Sequence, residues 1–203
     1  MANKNFNNNG FEYIDLELPS GTLWATKNVG ADKATDYGLY FQWGDTQGYY
    51  KARVGVGKSF NMDNYIWGLD EDGAIFSKYK KGDILKLEDD AANNYMGGNW
   101  HLPNPGQIKE LLDNTTTEWT SKNGVNGRLF ISKKNASKSI FFPAAGNALS
   151  CSVWHSENYG HIWSSMLSTG SAKFGYALGF GEYGASLEFY SREYGFSVRG
   201  VIG

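Results

Sequence analysis

The sequence has little cysteine and no excess of charge of either sign, and both deficits exclude classes of protein. Cys151 is the only cysteine among 203 residues, which excludes an internal disulfide, a multi-cysteine metal site and a dithiol redox pair. Lys and Arg number 19 against 21 Asp and Glu, so there is no basic excess of the kind that nucleic acid or an anionic membrane attracts. No apolar run is long enough to cross a bilayer, and residues 1–10 lack the apolar segment of a signal peptide. We therefore expect no nucleic-acid partner, no membrane insertion and, unless a leader was removed, synthesis in the cytoplasm.

Glycine and aromatic residues, by contrast, are abundant. The chain has 26 glycines against 4 prolines, which indicates many tight turns between short strands. A hydrophobic content of 41% is sufficient for a core. The polar, Asn-rich residues 1–10 are expected to form a flexible lead-in, and residues 11–203 a single domain.

The residue pattern predicts an α+β domain with two helices among short strands. The first helix is expected from Glu88 to about Tyr95, ending before two glycines. The second should begin at Asn104 as N-cap, with Pro105 in the first turn and Gln107 completing a capping box. Strands are predicted at 13–18, 22–25, 38–43, 128–132, 139–142, 162–165, 176–180, 185–189 and 196–202.

Seven motifs follow one another along the chain: LWATKNVGA (23–31), FQWG (41–44), DDAA (89–92), WHLPN (100–104), FFPAAG (141–146), WSS (163–165) and GFSVRGV (195–201). Together they resemble the Fibrobacter-type major paralogous domain family, whose fold is C-type-lectin-like and related to formylglycine-generating enzymes. The resemblance implies a C-type lectin fold with short antiparallel strands, two helices and a loop-rich C-terminal half.

Within that family, the C-terminal stretch resembles the variable proteins of diversity-generating retroelements, and the resemblance implies a variable ligand-binding region at about 150–199. Trp154 and His155 lie on the approach to this stretch and are candidates for exposed contacts. The interleaved Tyr, Phe, Ser and Gly residues have the composition of antibody contact loops. The expected ligand-binding residues are Trp154, His155, Ser168, Ser171, Lys173, Phe174, Ala177, Gly179, Tyr183, Ser186, Glu188, Phe189, Tyr190, Ser191 and Tyr194.

The alternation in 176–180 agrees with this division. A strand places Tyr176, Leu178 and Phe180 on one face, and Ala177 and Gly179 on the other. The first face is expected to be scaffold and the second to be free to change. Phe174, Tyr183, Phe189, Tyr190 and Tyr194 are expected to be accessible together on one face.

Enzymatic function is not expected. Formylglycine-generating relatives depend on a cysteine pair, and Cys151 stands alone. His101, His155 and His161 show no metal-ligand spacing. The acidic segment 70–73 lacks the alternating ligands of a calcium loop, and a solvated turn is favoured there. No cofactor and no metal are expected, so chelators should leave the melting temperature unchanged.

The sequence thus favours a hypervariable ligand-binding protein, acting as a phage tail-tip receptor-binding protein or in surface display. The expected partner is a protein or glycan on a bacterial or phage surface, and association with a virion follows from that reading. The sequence is also compatible with a homo-oligomer. The alternative is a fixed-specificity cell-surface adhesion domain from a longer exported chain. A degenerate enzyme of the formylglycine-generating type is the least favoured reading.

Overall fold

The computed structural model describes residues 6–68 and 77–203, and it is mostly β: 41% strand against 13% helical. Its helices are α1 (Ala91–Met96) and α2 (Pro105–Asn114). Its strands, in chain order, are β1 (Phe6–Asn8), β2 (Phe11–Asp15), β3 (Leu23–Ala25), β4 (Leu39–Tyr40), β5 (Tyr49–Tyr50), β6 (Thr115–Lys122), β7 (Val125–Ser132), β8 (Ser139–Pro143), β9 (Asn147–Leu149), β10 (Ser152–Trp154), β11 (Tyr159–Leu167), β12 (Phe174–Gly181), β13 (Gly184–Ser191) and β14 (Val201–Ile202).

The prediction of an α+β C-type lectin fold with two helices is wrong. Within the described residues the strands form five small antiparallel sheets, and α2 is the only helix longer than two turns. The predicted first helix is cut to six residues because Asp90 caps it, Gly97 ends it at φ 66°, and Glu88 lies in a preceding 3₁₀ turn. Unpredicted strands add to the sheet content, among them β6, whose β-branched Thr115, Thr116 and Thr117 favour extended backbone.

The second predicted helix is confirmed as α2. The Asn104 side chain accepts a hydrogen bond from the Gln107 N–H at 2.9 Å, and the Gln107 side chain accepts one from the Asn104 N–H at 2.9 Å. This reciprocal pair satisfies donors that the first turn leaves without helical partners. Ile108 and Leu111 are fully buried, so the apolar stripe of α2 faces the core.

The sheets connect distant parts of the chain. Strand order is β1-β2-β3-β14 in the largest, with β6-β7-β8, β11-β12-β13, β9-β10 and β4-β5 forming the others. The predicted hairpin is present as β2 paired with β3, and β14 adds the end of the chain to β3. Residues 1–10 were expected to form a lead-in, and the described part of that segment includes β1, which pairs with β2.

Two buried arginines tie the C-terminal segment to the rest of the core. Arg199 is fully buried and donates to Asn28 Oδ1 at 2.9 Å and to the Ala25 carbonyl at 3.0 Å. Arg192, also fully buried, donates to the Tyr65 hydroxyl at 2.7 Å and lies over the Trp43 ring. Both side chains therefore connect the C-terminal segment to loops that lie far away in the chain. No helix in the described parts of the chain is long and apolar enough to cross a membrane.

Candidate functional site

The sheet β11-β12-β13 has two faces, and strand register decides which residues share each. Leu178 pairs with Ile162 on β11 and with Leu187 on β13, so these three side chains share a face. Helix α2 packs across this face, where Ile108 joins them in one core cluster. Ile162 and Leu178 are therefore buried under the helix, and we call this the helix-covered face.

The opposite face is sealed over one half only. Ala177 pairs with Trp163 there, and both are fully buried against Trp43. The expectation that the face carrying Ala177 is accessible is therefore wrong at this residue. The alternation itself is confirmed: Leu178 and Phe180 belong to one core cluster and Ala177 to another.

Beyond Ala177 the same face opens toward the β12–β13 hairpin. His161, Gly179 and Ser186 are paired across the three strands at the next position on this face. Two adjoining clefts of about 370 and 390 Å³ lie here and share Tyr159, His161 and Tyr190. We call them together the aromatic cleft, whose lining includes Asn147, Leu149, Trp154, His155, Tyr159, His161, Gly179, Tyr183, Ser186, Glu188, Tyr190 and Tyr194.

The floor of the aromatic cleft is a hydrogen-bonded chain that ends on a carboxylate. Glu188 accepts a hydrogen bond from the Ser186 hydroxyl at 2.6 Å and a short one from the Tyr190 hydroxyl. His161 Nε2 lies 3.2 Å from the same Tyr190 hydroxyl, so the imidazole packs against this pair. The chain therefore holds the Glu188 carboxylate in one place.

Burial keeps the two aromatic members of this chain uncharged. His161 is stacked on Phe196 with ring centroids 4.5 Å apart, and burial lowers the pKa of its imidazole to about 4. Burial, together with the hydrogen bond to Glu188, raises the pKa of the Tyr190 hydroxyl above its usual value. At neutral pH the imidazole and the phenol of the floor are thus uncharged.

Exposed aromatic rings form the rim. Tyr183 is 92% exposed in the β12–β13 hairpin, Trp154 is 53% exposed at the end of β10, and Tyr159 is 43% exposed at the start of β11. The Tyr159 ring meets the His155 ring edge-on at 5.9 Å. Large apolar area held out to solvent around a cleft is typical of an interaction site.

Two predicted contact residues lie on the other face of the sheet. Phe189 is paired with Tyr176, and the alternation of β13 places it on the same face as Leu187. Phe189 is 57% exposed and contacts the half-buried Phe174, with ring centroids 5.6 Å apart. The expectation of one accessible face is therefore corrected: Tyr183, Tyr190 and Tyr194 line the aromatic cleft, with Tyr190 and Tyr194 half-buried, whereas Phe174 and Phe189 do not line it.

The remaining predicted residues lie at the far end of the sheet. Ser168, Ser171 and Lys173 belong to the connection between β11 and β12, and Ser191 is paired with Phe174 at the end of β13. Strand β12 separates this end from the Tyr183 hairpin by about 23 Å at its usual rise per residue. Ser168 and Ser191 are also buried, so the structure does not bring this group to the aromatic cleft.

Sequence reasoning missed two residues at the centre of the aromatic cleft. Tyr159 and His161 line both of its halves, yet neither was predicted as a contact residue. The alternation Tyr159, His161, Trp163 along β11 was the available signal, because it continues the face that carries Ala177. The predicted strand began only at residue 162, which hid that alternation.

Residues weighed above for metal binding and for thiol chemistry have the following positions. Among residues 6–68 and 77–203, no group of three or more His, Cys, Asp or Glu side chains is arranged to hold a metal ion. Cys151 is exposed, and its sulfur lies 3.3 Å from the Ser59 hydroxyl. The acidic segment weighed as a calcium loop, residues 70–73, lies outside the described residues.

Comparisons of this chain with protein-family models, with curated proteins and with solved structures found no match.

Proposed function

We propose that this chain is a ligand-binding protein, not an enzyme, and that the aromatic cleft is its contact surface. The observation that carries the proposal is the ring of exposed aromatics, Tyr183, Trp154 and Tyr159, around a floor of fixed polar groups. Tyrosine and tryptophan give large contact area at low entropy cost and dominate binding hot spots. Isolated exposed aromatics need no explanation, but a group of them around a cleft does.

The cleft lies on a packed sheet. This arrangement suits a binding surface whose residues vary between sequences while the residues of the core stay the same. Side chains at Ser186, Glu188 and Tyr183 project from an edge strand and its hairpin, whereas Leu178 behind them is fully buried. Substitutions in the first group leave the core contacts of the second intact. Together with the sequence resemblance, this supports a hypervariable binding protein of the diversity-generating retroelement type. This proposal concerns the contact surface and does not include the lectin fold, because the structure contradicts that fold.

The proposed partner is a protein or glycan on a bacterial or phage surface, and the proposed location is a phage tail tip or another display surface. Both rest on the resemblance. A fixed-specificity adhesion domain would present the same cleft with an unchanging set of residues.

The test is to sequence the same locus across isolates. We expect differences between Met166 and Tyr194 to concentrate at accessible positions such as Tyr183 and Ser186, and to spare Leu178 and Arg199. An adjacent reverse transcriptase gene and a near-identical template copy of codons 160 to 200 would accompany that pattern. An even spread of differences along the chain would instead favour the fixed adhesion domain.

A direct test compares two libraries of equal size. One randomises Tyr183, Ser186 and Glu188, and its matched control randomises the buried Ile162, Ala177 and Leu178. We expect most members of the first library to fold and most of the second to fail, because surface changes usually alter stability by about 0.5 kcal/mol or less. Equal failure of both libraries would contradict a surface built to vary.

A further inference from the structure

The aromatic cleft carries a carboxylate that no cation neutralises. Glu188 forms no ion pair within the described parts of the chain, and its two hydrogen-bond donors are the neutral hydroxyls of Ser186 and Tyr190. The neutral His161 on the floor adds no positive charge at neutral pH. A carboxylate accepts about four hydrogen bonds, so Glu188 retains acceptor capacity toward the cleft.

The backbone beneath Glu188 is shaped to leave this carboxylate in place. Gly179 is the cross-strand neighbour of Ser186, and a Cβ atom at Gly179 would lie 2.5 Å from Glu188 Oε2. The absence of a side chain at Gly179 thus provides the space that the carboxylate occupies. The hydroxyls of Ser186 and Tyr190 hold it there.

Further acidic residues lie beyond the rim of the aromatic cleft. A third cleft adjoins the aromatic cleft through Tyr159 and Tyr183, and its lining includes Glu157 and Glu182. Among the described residues that line the three clefts, none is a lysine or arginine. The Arg128 guanidinium lies behind this surface, where it is buried and donates to the Gly181 carbonyl at 2.6 Å. The surface around Tyr159 and Tyr183 therefore combines aromatic rings with negative charge.

That combination of rings and negative charge is complementary to a ligand with a cationic group next to a planar or apolar group. An ammonium or guanidinium gains a charge-assisted hydrogen bond from a carboxylate, and it also interacts with the faces of Tyr and Trp rings. A guanidinium has in addition the planar shape that stacks on aromatic rings. A neutral sugar could stack on the same rings but would gain little from several carboxylates, and an anionic polysaccharide would be repelled.

We propose that the aromatic cleft binds a basic peptide segment of a partner protein, with an Arg or Lys side chain seated at Glu188 between the rings of Tyr159 and Tyr183. Further cations of the segment lie near Glu157 and Glu182. This inference rests on the proposed binding function and names its ligand class. It assigns Glu188 the role of charge recognition in this sequence variant.

The experiment uses the full chain and a defined probe, an acetylated and amidated nonapeptide of Gly and Ser with arginine at every third position. Its matched control carries citrulline, which is neutral and nearly isosteric, in place of arginine. Calorimetry at low ionic strength should show binding of the arginine peptide and at least tenfold weaker binding of the citrulline peptide. Added salt should weaken the first interaction, because exposed charges are screened over about 8 Å at physiological ionic strength.

Two substitutions locate the effect. Glu188→Gln keeps the shape and the acceptor oxygen for Tyr190, and it should weaken binding of the arginine peptide about tenfold, the factor that corresponds to about 1.4 kcal/mol. Glu88→Gln removes the same charge at an exposed position that lines none of the three clefts, and it should change affinity less than twofold. If Glu188→Gln does not fold, Tyr183→Ala removes an exposed ring and should weaken the same interaction.

The inference is overturned if wild type binds both peptides equally, if Glu188→Gln and Glu88→Gln behave alike, or if wild type binds neither peptide. Binding of a neutral oligosaccharide such as cellohexaose, lost in Tyr183→Ala but kept in Glu188→Gln, would assign the cleft to a glycan. That result would overturn the basic-peptide inference while leaving the proposed binding function in place. Failure of the proposal that this surface varies would show instead in the locus comparison, which requires no ligand.

Discussion

The two faces of the sheet β11-β12-β13 come from the same strands, yet they differ in what covers them. On the helix-covered face, Ile162, Leu178 and Leu187 form a continuous apolar row beneath α2. On the other face, Trp163 and Ala177 are buried, but the next row is His161, Gly179 and Ser186 and opens into the aromatic cleft. Strand alternation thus sorts residues into two faces, and neighbouring elements decide which part of each face meets solvent.

The largest effect is expected on the helix-covered face. Leu178→Ala should reduce the free energy of unfolding by about 2–5 kcal/mol, because it leaves a cavity in a close-packed core. Leu178 is fully buried, which leaves no solvent to fill that space. Urea denaturation provides the measurement, with Ser186→Ala on the open face as control. A loss below about 1 kcal/mol for Leu178→Ala would mean that α2 does not seal this face.

The next effect tests whether the floor of the aromatic cleft is dry. Burial lowers the pKa of His161 from 6.5 to about 4, so the unfolded chain binds a proton at this residue in that pH range and the folded chain does not. The neutral His161 therefore stabilises the folded chain fully above pH 6.5. As the pH falls to about 4, the free energy of unfolding should decrease by about 3 kcal/mol because of this residue.

The measurement compares urea denaturation of wild type and His161→Gln between pH 7 and pH 4. We expect the variant to lack this component of the pH dependence while retaining the part due to carboxylates. Parallel curves for the two proteins would show that water reaches the imidazole and that the floor is open.

Two glycines on one face of β12 allow a matched comparison, in which a smaller change in the free energy of unfolding is expected. A Cβ atom at Gly175 would lie 2.6 Å from Cδ1 of the buried Trp43, whereas one at Gly179 would meet the movable end of Glu188. Gly175→Ala should therefore cost about 1–3 kcal/mol by overpacking. Gly179→Ala should cost less, typically about 0.5 kcal/mol, and displace the carboxylate.

Thermal and urea denaturation of the two alanine variants decide this prediction. Binding of the arginine peptide adds a second readout, which only Gly179→Ala should weaken among variants that remain folded. Equal destabilisation by the two substitutions would contradict the division of this face into sealed and open halves.

The smallest effects on stability are expected at the exposed rings. Tyr183→Ala and Phe189→Ala should each change the free energy of unfolding by about 0.5 kcal/mol or less, since both side chains are mostly exposed. They should differ in binding: Tyr183 lines the aromatic cleft and Phe189 does not. Titration of both variants with the same ligand checks this, and equal losses would place the contact surface across the hairpin edge instead of within the cleft.

Local signals in the sequence determined local structure. The capping residues Asn104 and Gln107 located α2, and the alternation of residues 176–180 correctly separated Leu178 from Ala177. The C-terminal stretch was singled out by the family resemblance, with which its Tyr-rich composition agrees, and Tyr183, Ser186, Glu188 and Tyr190 from it do line the cleft. These features depend on neighbours within a few positions, which is why the sequence alone reveals them.

Only the tertiary structure determined which of these residues are exposed on the same surface. Ala177 is buried because Trp43, far away in the chain, covers it, and Phe189 lies outside the cleft because the β12–β13 register turns it to the other face. The balance of strand and helix was also settled by pairing, since β6 forms against β7 and β14 against β3. Burial and strand pairing are long-range properties that local periodicity does not encode, so the sequence indicated the strands and their alternation while the packed structure determined the surface they present.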